Sequence, residues 1–300
     1  MSIIVLGTVA LDSIKTRQGV KRDLLGGSAA HFAMSACFFT QVNLAAVIGD
    51  DFPEKHISFF KKKNIILDSL RREKGSTFRW EGEYKVSDLN TACTLSTQLG
   101  VINGYVPKLN LSQKNIPNVF LGNYDPDIQY QFLKEINNPK LIGLDTMNLW
   151  IQNKKKSLLK IVKKADILFI NDAEAKALAC EDNLFKAAKC LYSYGPKKII
   201  IKKGEHGVFF YSRDCFFSLP AYPVKKVIDP TGAGDTFAGG VMGYLTQSRK
   251  INDMIFKNAV AYGTIISSFN VQGFGLKCTA FLERNDIEKR LKAYRGFFKF

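Results

Sequence analysis

Histidine is scarce and cysteine unclustered: three histidines (His31, His56, His206) lie far apart, and six cysteines (Cys37, Cys93, Cys180, Cys190, Cys215, Cys278) show no short paired spacing. That pattern excludes a zinc-ribbon site and a disulfide framework. Proline is low at 9 of 300 residues, and with 46% hydrophobic and 23% charged residues the chain has neither fibrous nor disordered composition. No apolar run approaches the roughly 20 residues that span a bilayer; Ala259 to Phe269 is interrupted by Tyr, Gly, Thr and Ser. Ser2 to Gly7 lacks a basic n-region and a small-residue cleavage site, so it reads as a first strand and not a signal peptide. The expectation is a cytoplasmic chain with no membrane partner. Acidic residues are in deficit, 27 against 43 basic ones, for a formal charge of +16. The excess is lysine spread along the chain, as in Lys154, Lys155, Lys156, Lys160, Lys163 and Lys164, which suits a solvated helix face better than a nucleic-acid patch. No specific nucleic-acid partner is expected.

Apolar runs of strand length recur at Ile3–Leu6, Leu44–Ile48, Val119–Leu121, Leu141–Leu144, Ile167–Ile170 and Ile199–Ile201. Helical segments separate several of them: Ser28–Phe39, Glu54–Lys63, Ile128–Ile136, Ser157–Lys163 and Ala173–Ala179. Such alternation predicts an α/β fold with a mostly parallel central sheet covered on both faces, and ligands beyond the carboxyl ends of its strands. Two polar stretches, about 13–25 and 68–104, break the rhythm; Thr77, Phe78, Arg79, Trp80 and Glu81 partly alternate, as half-buried antiparallel strands do. With no repeat and no linker, the reading is one domain over 1–300 carrying these insertions as a small β-sheet lid, on which Arg79 and Trp80 are placed to cover a substrate.

The most informative segment is Val227-Ile-Asp-Pro-Thr-Gly-Ala-Gly-Asp-Thr-Phe-Ala-Gly-Gly240. A strand end leads through small residues into a helix whose buried face uses Phe237, Val241, Tyr244 and Leu245. The N–H groups of Gly232, Ala233 and Gly234 then sit at a helix N-terminus, where the dipole favours an anionic oxygen. A P-loop needs Lys followed by Ser or Thr after its second glycine; Asp235 stands there instead. Beside phosphates a carboxylate is useful for taking a proton from an attacking alcohol, while the amides stabilise charge on the transferring group. A helix cap with close-packed glycines is the alternative that spacing alone leaves open.

The segment resembles the C-terminal signature of the ribokinase-like (PfkB) carbohydrate kinases. Gly26-Gly-Ser-Ala-Ala-His31 is similar to that family's N-terminal signature, and Asn171-Asp-Ala-Glu174 to its Asn-X-X-Glu element, although those two residues also fit a helix cap. The resemblance implies a three-layer α/β/α fold with a β-sheet lid, Asp235 as catalytic base, and Gly232, Ala233 and Gly234 as anion hole. It implies substrate contacts from Asp12, Gly26, Gly27, Ser28 and His31, and nucleotide contacts from Lys203, Gly204, Thr231 and Asn258. Glu174 and Asn171 would act on Mg2+ through water. Ala10, Ser28 and His31 differ from residues common in ribokinases, so the acceptor is left open among sugars and nucleosides. Asp145, Thr146, Met147 and Asn148 end another strand and are further candidates for the same cleft.

The activity implied is ATP-dependent phosphorylation of a hydroxymethyl group on a small-molecule sugar or nucleoside, with ATP and Mg2+ as cofactors. A monovalent cation such as K+ and a homodimer formed through the lid are left open. The alternative is a non-catalytic sugar- or nucleotide-binding protein of the same fold.

Overall fold

Strands buried on both faces show continuous apolar runs, and their alternate residues feed two different cores. In the computed structural model, which describes residues 1–85, 88–248 and 250–298, Ile3 and Val5 pack into one core while Ile4 and Leu6 pack into the other. Val86 and Ser87, inside the second expected insertion, lie outside the described residues, as do Arg249, Lys299 and Phe300. In chain order the strands are β1 (Ser2–Leu6), β2 (Ala10–Thr16), β3 (Gly19–Gly26), β4 (Gln41–Ile48), β5 (Ile65–Ile66), β6 (Leu70–Arg72), β7 (Arg79–Lys85), β8 (Asp88–Gln98), β9 (Asn118–Leu121), β10 (Leu141–Asp145), β11 (Ile167–Asn171), β12 (Lys198–Lys202), β13 (Val208–Ser212) and β14 (Phe216–Leu219).

The main sheet runs β14-β13-β12-β11-β10-β9-β1-β4-β5, with β6 continuing along β4. From β12 to β5 all neighbours are parallel; β13 and β14 add an antiparallel edge. One face is covered by the helices Ser28–Ala36, Glu54–Lys62, Ala233–Thr246 and Asp253–Asn270, the other by Pro126–Lys134, Lys155–Val162, Asp172–Ala179 and Leu184–Ser193. The expected α/β architecture is therefore present. The Pro126–Lys134 helix begins earlier than its apolar periodicity suggests, because Asp125 accepts from the Asp127 N–H at 2.9 Å and proline at the first turn forfeits no helical hydrogen bond. Among the described residues, no helix is long and apolar enough to cross a membrane.

A second sheet, ordered β3-β2-β7-β8, stands apart from the first and draws on residues 10–26, 79–85 and 88–98. The short strands β5 and β6 belong to the main sheet instead: Leu70 pairs with Ala46, and the Ala46 N–H donates to the carbonyl of buried Ser69 at 3.2 Å. Within the second stretch, Leu70–Arg72 thus extends the main sheet, and the small sheet takes up the chain again only at Arg79.

The position of the cleft depends on one helix crossing. Ala233–Thr246 lies against Ser28–Ala36 so closely that a Cβ on Gly239 would meet the Phe32 carbonyl oxygen, and one on Gly243 would lie 2.9 Å from the Ala36 Cα. This crossing brings the N-termini of both helices together at the carboxyl end of the sheet. Below it, Phe32 stacks on Phe120 with ring centroids 4.1 Å apart, and Phe120 meets Phe169 edge-on at 5.7 Å. Phe120→Ala should cost about 3–5 kcal/mol of folding stability, read as a lower urea midpoint at unchanged slope; a change under about 1 kcal/mol would show that this aromatic layer does not carry the core.

Candidate active site

The signature loop is tied down before its helix starts. Asp229, fully buried, accepts from the Thr231 N–H at 2.9 Å with one carboxylate oxygen and from the Gly275 N–H at 2.8 Å with the other. Gly232 follows at φ 68°, a left-handed conformation, and a Cβ there would strike the His31 imidazole. Helix Ala233–Thr246 begins immediately afterwards. Ala233 uses its N–H on the Pro230 carbonyl at 3.1 Å, whereas among the described residues the N–H groups of Gly232 and Gly234 have no protein acceptor. Of the three amides expected to form an anion hole, Gly232 and Gly234 are thus left available, while the turn into the helix consumes the Ala233 donor.

His31 lies directly behind this loop. Its Nδ1 is 3.2 Å from Asn270 Oδ1, and Asn270 Nδ2 donates to the Thr231 carbonyl at 2.9 Å. That second bond fixes the Asn270 amide and requires the imidazole to carry its proton on Nδ1. Burial lowers the His31 pKa to about 4, so the ring is neutral at physiological pH. Its Nε2 is buried without a partner among the described residues.

Asp12, on β2, is 4% exposed. Its carboxylate accepts from the Gly27 N–H at 3.2 Å and lies where a Cβ on Gly26 would be, so the paired glycines make room for an acid. Burial pushes the Asp12 pKa up to about 7, with Asp229 and Asp235 adding repulsion against the Gly27 bond. Ser28 turns the other way: its hydroxyl accepts from the Thr8 N–H at 3.0 Å and donates to the Asn123 carbonyl at 3.3 Å.

Across the loop, β10 and β12 end in Asp145 and Lys202, and the helix that follows β11 carries Glu174 in its first turn. Lys202, the last residue of β12, places its ammonium 2.5 Å from Asp145 Oδ2 and 3.1 Å from the point a Gly234 Cβ would occupy. Burial opposes the Lys202 charge, but Asp145, Glu174 and Asp235 outweigh it and hold its pKa above the ordinary value. Asp235, half-buried in the first helical turn, has a pKa raised to about 7 by desolvation and by Asp145, with Lys202 acting in the opposite direction. Glu174 and Asn171 form a reciprocal cap: Asn171 Oδ1 accepts from the Glu174 N–H at 2.8 Å, and Glu174 Oε2 accepts from the Asn171 N–H at 3.0 Å. Burial raises Glu174 to about 7. Sequence reading singled out Lys203 and passed over Lys202; strand parity was the available signal, since only one of two adjacent lysines can face the cleft.

The small sheet reaches over this site. The Thr231 hydroxyl donates to the Tyr84 hydroxyl at 3.3 Å, and Asn90 on β8 presses against Gly204, where a Cβ would collide with its amide. Trp80 donates to Thr94 Oγ1 at 3.1 Å with its ring lying over Gly82, on the same face of the small sheet as Tyr84. Arg79 bonds Asp23 and Asp51. Lys203 donates its N–H to the Gly207 carbonyl at 2.8 Å, closing the Gly204 turn. Asn258 is not part of the cluster: it accepts from Arg295 at 3.1 Å, about 18 Å along its helix from Asn270.

Among the described residues, no three His, Cys, Asp or Glu side chains form a metal site. Glu174 has one oxygen committed to Asn171 and the other near the ammonium-carboxylate cluster. Such a donor set fits Mg2+ that arrives already ligated by phosphate and water, held through outer contacts with Glu174 and Asn171.

Residues 11–279 match the pfkB family of carbohydrate kinases. A cytidine kinase from Thermococcus kodakarensis is 27% identical over 85% of this chain and 92% of its own length. A nucleoside kinase from Methanocaldococcus jannaschii is 27% identical over 63% of this chain and 59% of its own. Among solved structures, a Burkholderia thailandensis nucleoside kinase in complex with inosine superimposes with a TM-score of 0.79 at 19% identity, covering 99% of both chains. An E. coli putative ribokinase II in complex with ATP and Mg2+ gives 0.82 at 17% identity, covering 97% of this chain and 99% of that one.

The raised acid at Asp12 has a calculable sign. Its carboxyl ionises near 3.8 in the unfolded chain and near 7 in the native one, so ionisation favours the unfolded state increasingly between about pH 4 and 7. Asp12→Asn should be more stable than wild type by on the order of 2–4 kcal/mol at pH 8, and the difference should vanish near pH 4. Urea midpoints at the two pH values measure this; a pH-independent difference would contradict the assignment.

Proposed function

The chain belongs to the pfkB family of carbohydrate kinases, and from that premise we propose that it transfers the γ-phosphoryl group of ATP to the hydroxymethyl group of a nucleoside or sugar. Nucleosides come first, because two relatives matched over most of this chain are named cytidine kinase and nucleoside kinase. The observation that carries the reading is Asp235: a carboxylate in the first turn of the helix Ala233–Thr246, beside the Gly232 and Gly234 N–H groups that have no protein acceptor among the described residues, with a pKa raised to about 7. A base of that pKa accepts a proton at neutral pH without being permanently protonated or too weak to take one.

In this reading the acceptor alcohol lies between Asp12 and Asp235, under Tyr84 and Trp80. Ionised Asp12 accepts hydrogen bonds from neighbouring hydroxyls and orients the reacting one. As the acceptor oxygen bonds to the γ-phosphorus, the bond to the β-phosphate oxygen breaks, Asp235 takes the alcohol proton, and ADP leaves. The Gly232 and Gly234 N–H groups meet the charge that develops on the phosphoryl oxygens. Mg2+ would supply further charge neutralisation there, with Glu174 and Asn171 ordering its water shell. The Tyr84–Thr231 and Asn90–Gly204 contacts supply the means to exclude water, limiting transfer of phosphate to water itself.

ADP release with MgATP should be stimulated by one member of a panel of nucleosides and sugars. Asp235→Asn should lower kcat by roughly two or more orders of magnitude with little change in the binding of either substrate. Near-wild-type turnover in that variant would remove Asp235 from the role of base, and no turnover with any alcohol despite binding would favour a non-catalytic binding protein. In the wild type, kcat/KM should rise as pH increases through about 7, where Asp235 loses its proton; a profile flat between pH 5.5 and 8 would contradict this.

A further inference from the structure

We propose that Lys202 is a phosphate-binding residue of this site, fixed beside the Gly234 amide by Asp145, so that the ammonium and the loop N–H groups together form the phosphoryl-binding surface. The inference rests on the phosphotransfer reading above and adds a residue to it.

Three observations carry it. The ammonium lies 3.1 Å from the point a Gly234 Cβ would occupy, so glycine at 234 keeps open the space between the cation and the helix N-terminus. Among the described residues its hydrogen-bond acceptor is Asp145 Oδ2 at 2.5 Å, which leaves two of its three N–H donors for another acceptor. Asp145 is itself held, with Oδ1 accepting from the Thr146 N–H at 2.9 Å, and its side chain is 4% exposed.

A purely structural role explains this poorly. Buried ion pairs are weak contributors to stability, and the preceding β12 residues Ile199, Ile200 and Ile201 are fully buried without polar help. The pair instead sits at the strand's carboxyl edge, with the ammonium beside Gly234, whose N–H has no protein acceptor among the described residues. There Asp145, Glu174 and Asp235 would together repel a phosphate chain, and Lys202 is the cation that offsets them. A P-loop lysine follows its glycines in sequence; here the lysine comes from a strand end and reaches the glycine loop through space. Asp145 is a positioning residue: it touches the ammonium and not the phosphate.

The test is calorimetric titration with the magnesium complex of AMP-PNP and, separately, with adenosine. Wild type should bind the analogue more tightly than adenosine. Lys202→Met and Lys202→Gln should weaken analogue binding by roughly 10- to 100-fold, the size expected for one charge-assisted contact, while adenosine affinity stays within about twofold. Lys202→Arg should recover part of the loss, and Asp145→Asn should weaken the analogue less than Lys202→Met does. The two neutral variants differ in polarity, so poor folding of one leaves the other to report. Analogue binding equal to wild type in a folded neutral variant overturns the proposal and leaves the phosphotransfer reading intact, as does equal loss of adenosine and analogue. Wild type that binds neither probe overturns both.

Discussion

The loop that opens the helix Ala233–Thr246 depends on one steric constraint: the backbone at residue 232 has to rest on the His31 ring. Only glycine allows this, both because a side chain would collide with the imidazole and because φ is 68°. From that contact the rest follows. The helix Ala233–Thr246 starts at a fixed point over the sheet, its axis is set by the close crossing at Gly239 and Gly243, and its unpaired amides face the strand ends. His31 can lie there only as a neutral ring, and the Asn270 bridge from His31 to the Thr231 carbonyl locks the loop in turn.

Charge balance is the second constraint. Asp145, Glu174 and Asp235 come from three different elements and are gathered around a single ammonium, while Asp12, from a fourth, feels Asp235 and Asp229. Desolvation is the largest influence on Asp12, Glu174 and Asp235 alike, and it raises all three toward neutrality. A fold selected for stability alone would avoid this arrangement, and clusters of carboxylates with raised pKa values are a mark of functional sites. In the proposed reaction, the same burial that costs stability brings Asp235 into the range where a base works at neutral pH.

The central strands were legible because burial on both faces leaves continuous runs such as Ile3–Leu6 and Ile199–Ile201. The small sheet was legible in outline from its polar alternation, but β6 was mistaken for part of it: three residues give no period, and Leu70 joins the main sheet only through pairing with Ala46. The loop from Asp229 to Asp235 stood out through its ordered run of small residues and acids. Lys202 did not, because it is one of many lysines in a chain of charge +16 and its partner is 57 residues away. The consumption of the Ala233 N–H by Pro230 and the seat of Gly232 on His31 are likewise invisible in sequence, since both depend on how the turn closes in space.

The most direct test of the account is product identification after incubating the protein with MgATP and the alcohol that stimulates ADP release, by 31P NMR and mass spectrometry. The account predicts one phosphate monoester on the hydroxymethyl oxygen for each ADP formed. Formation of ADP with inorganic phosphate alone, or of a phosphoryl group on any other atom of the acceptor, would contradict it.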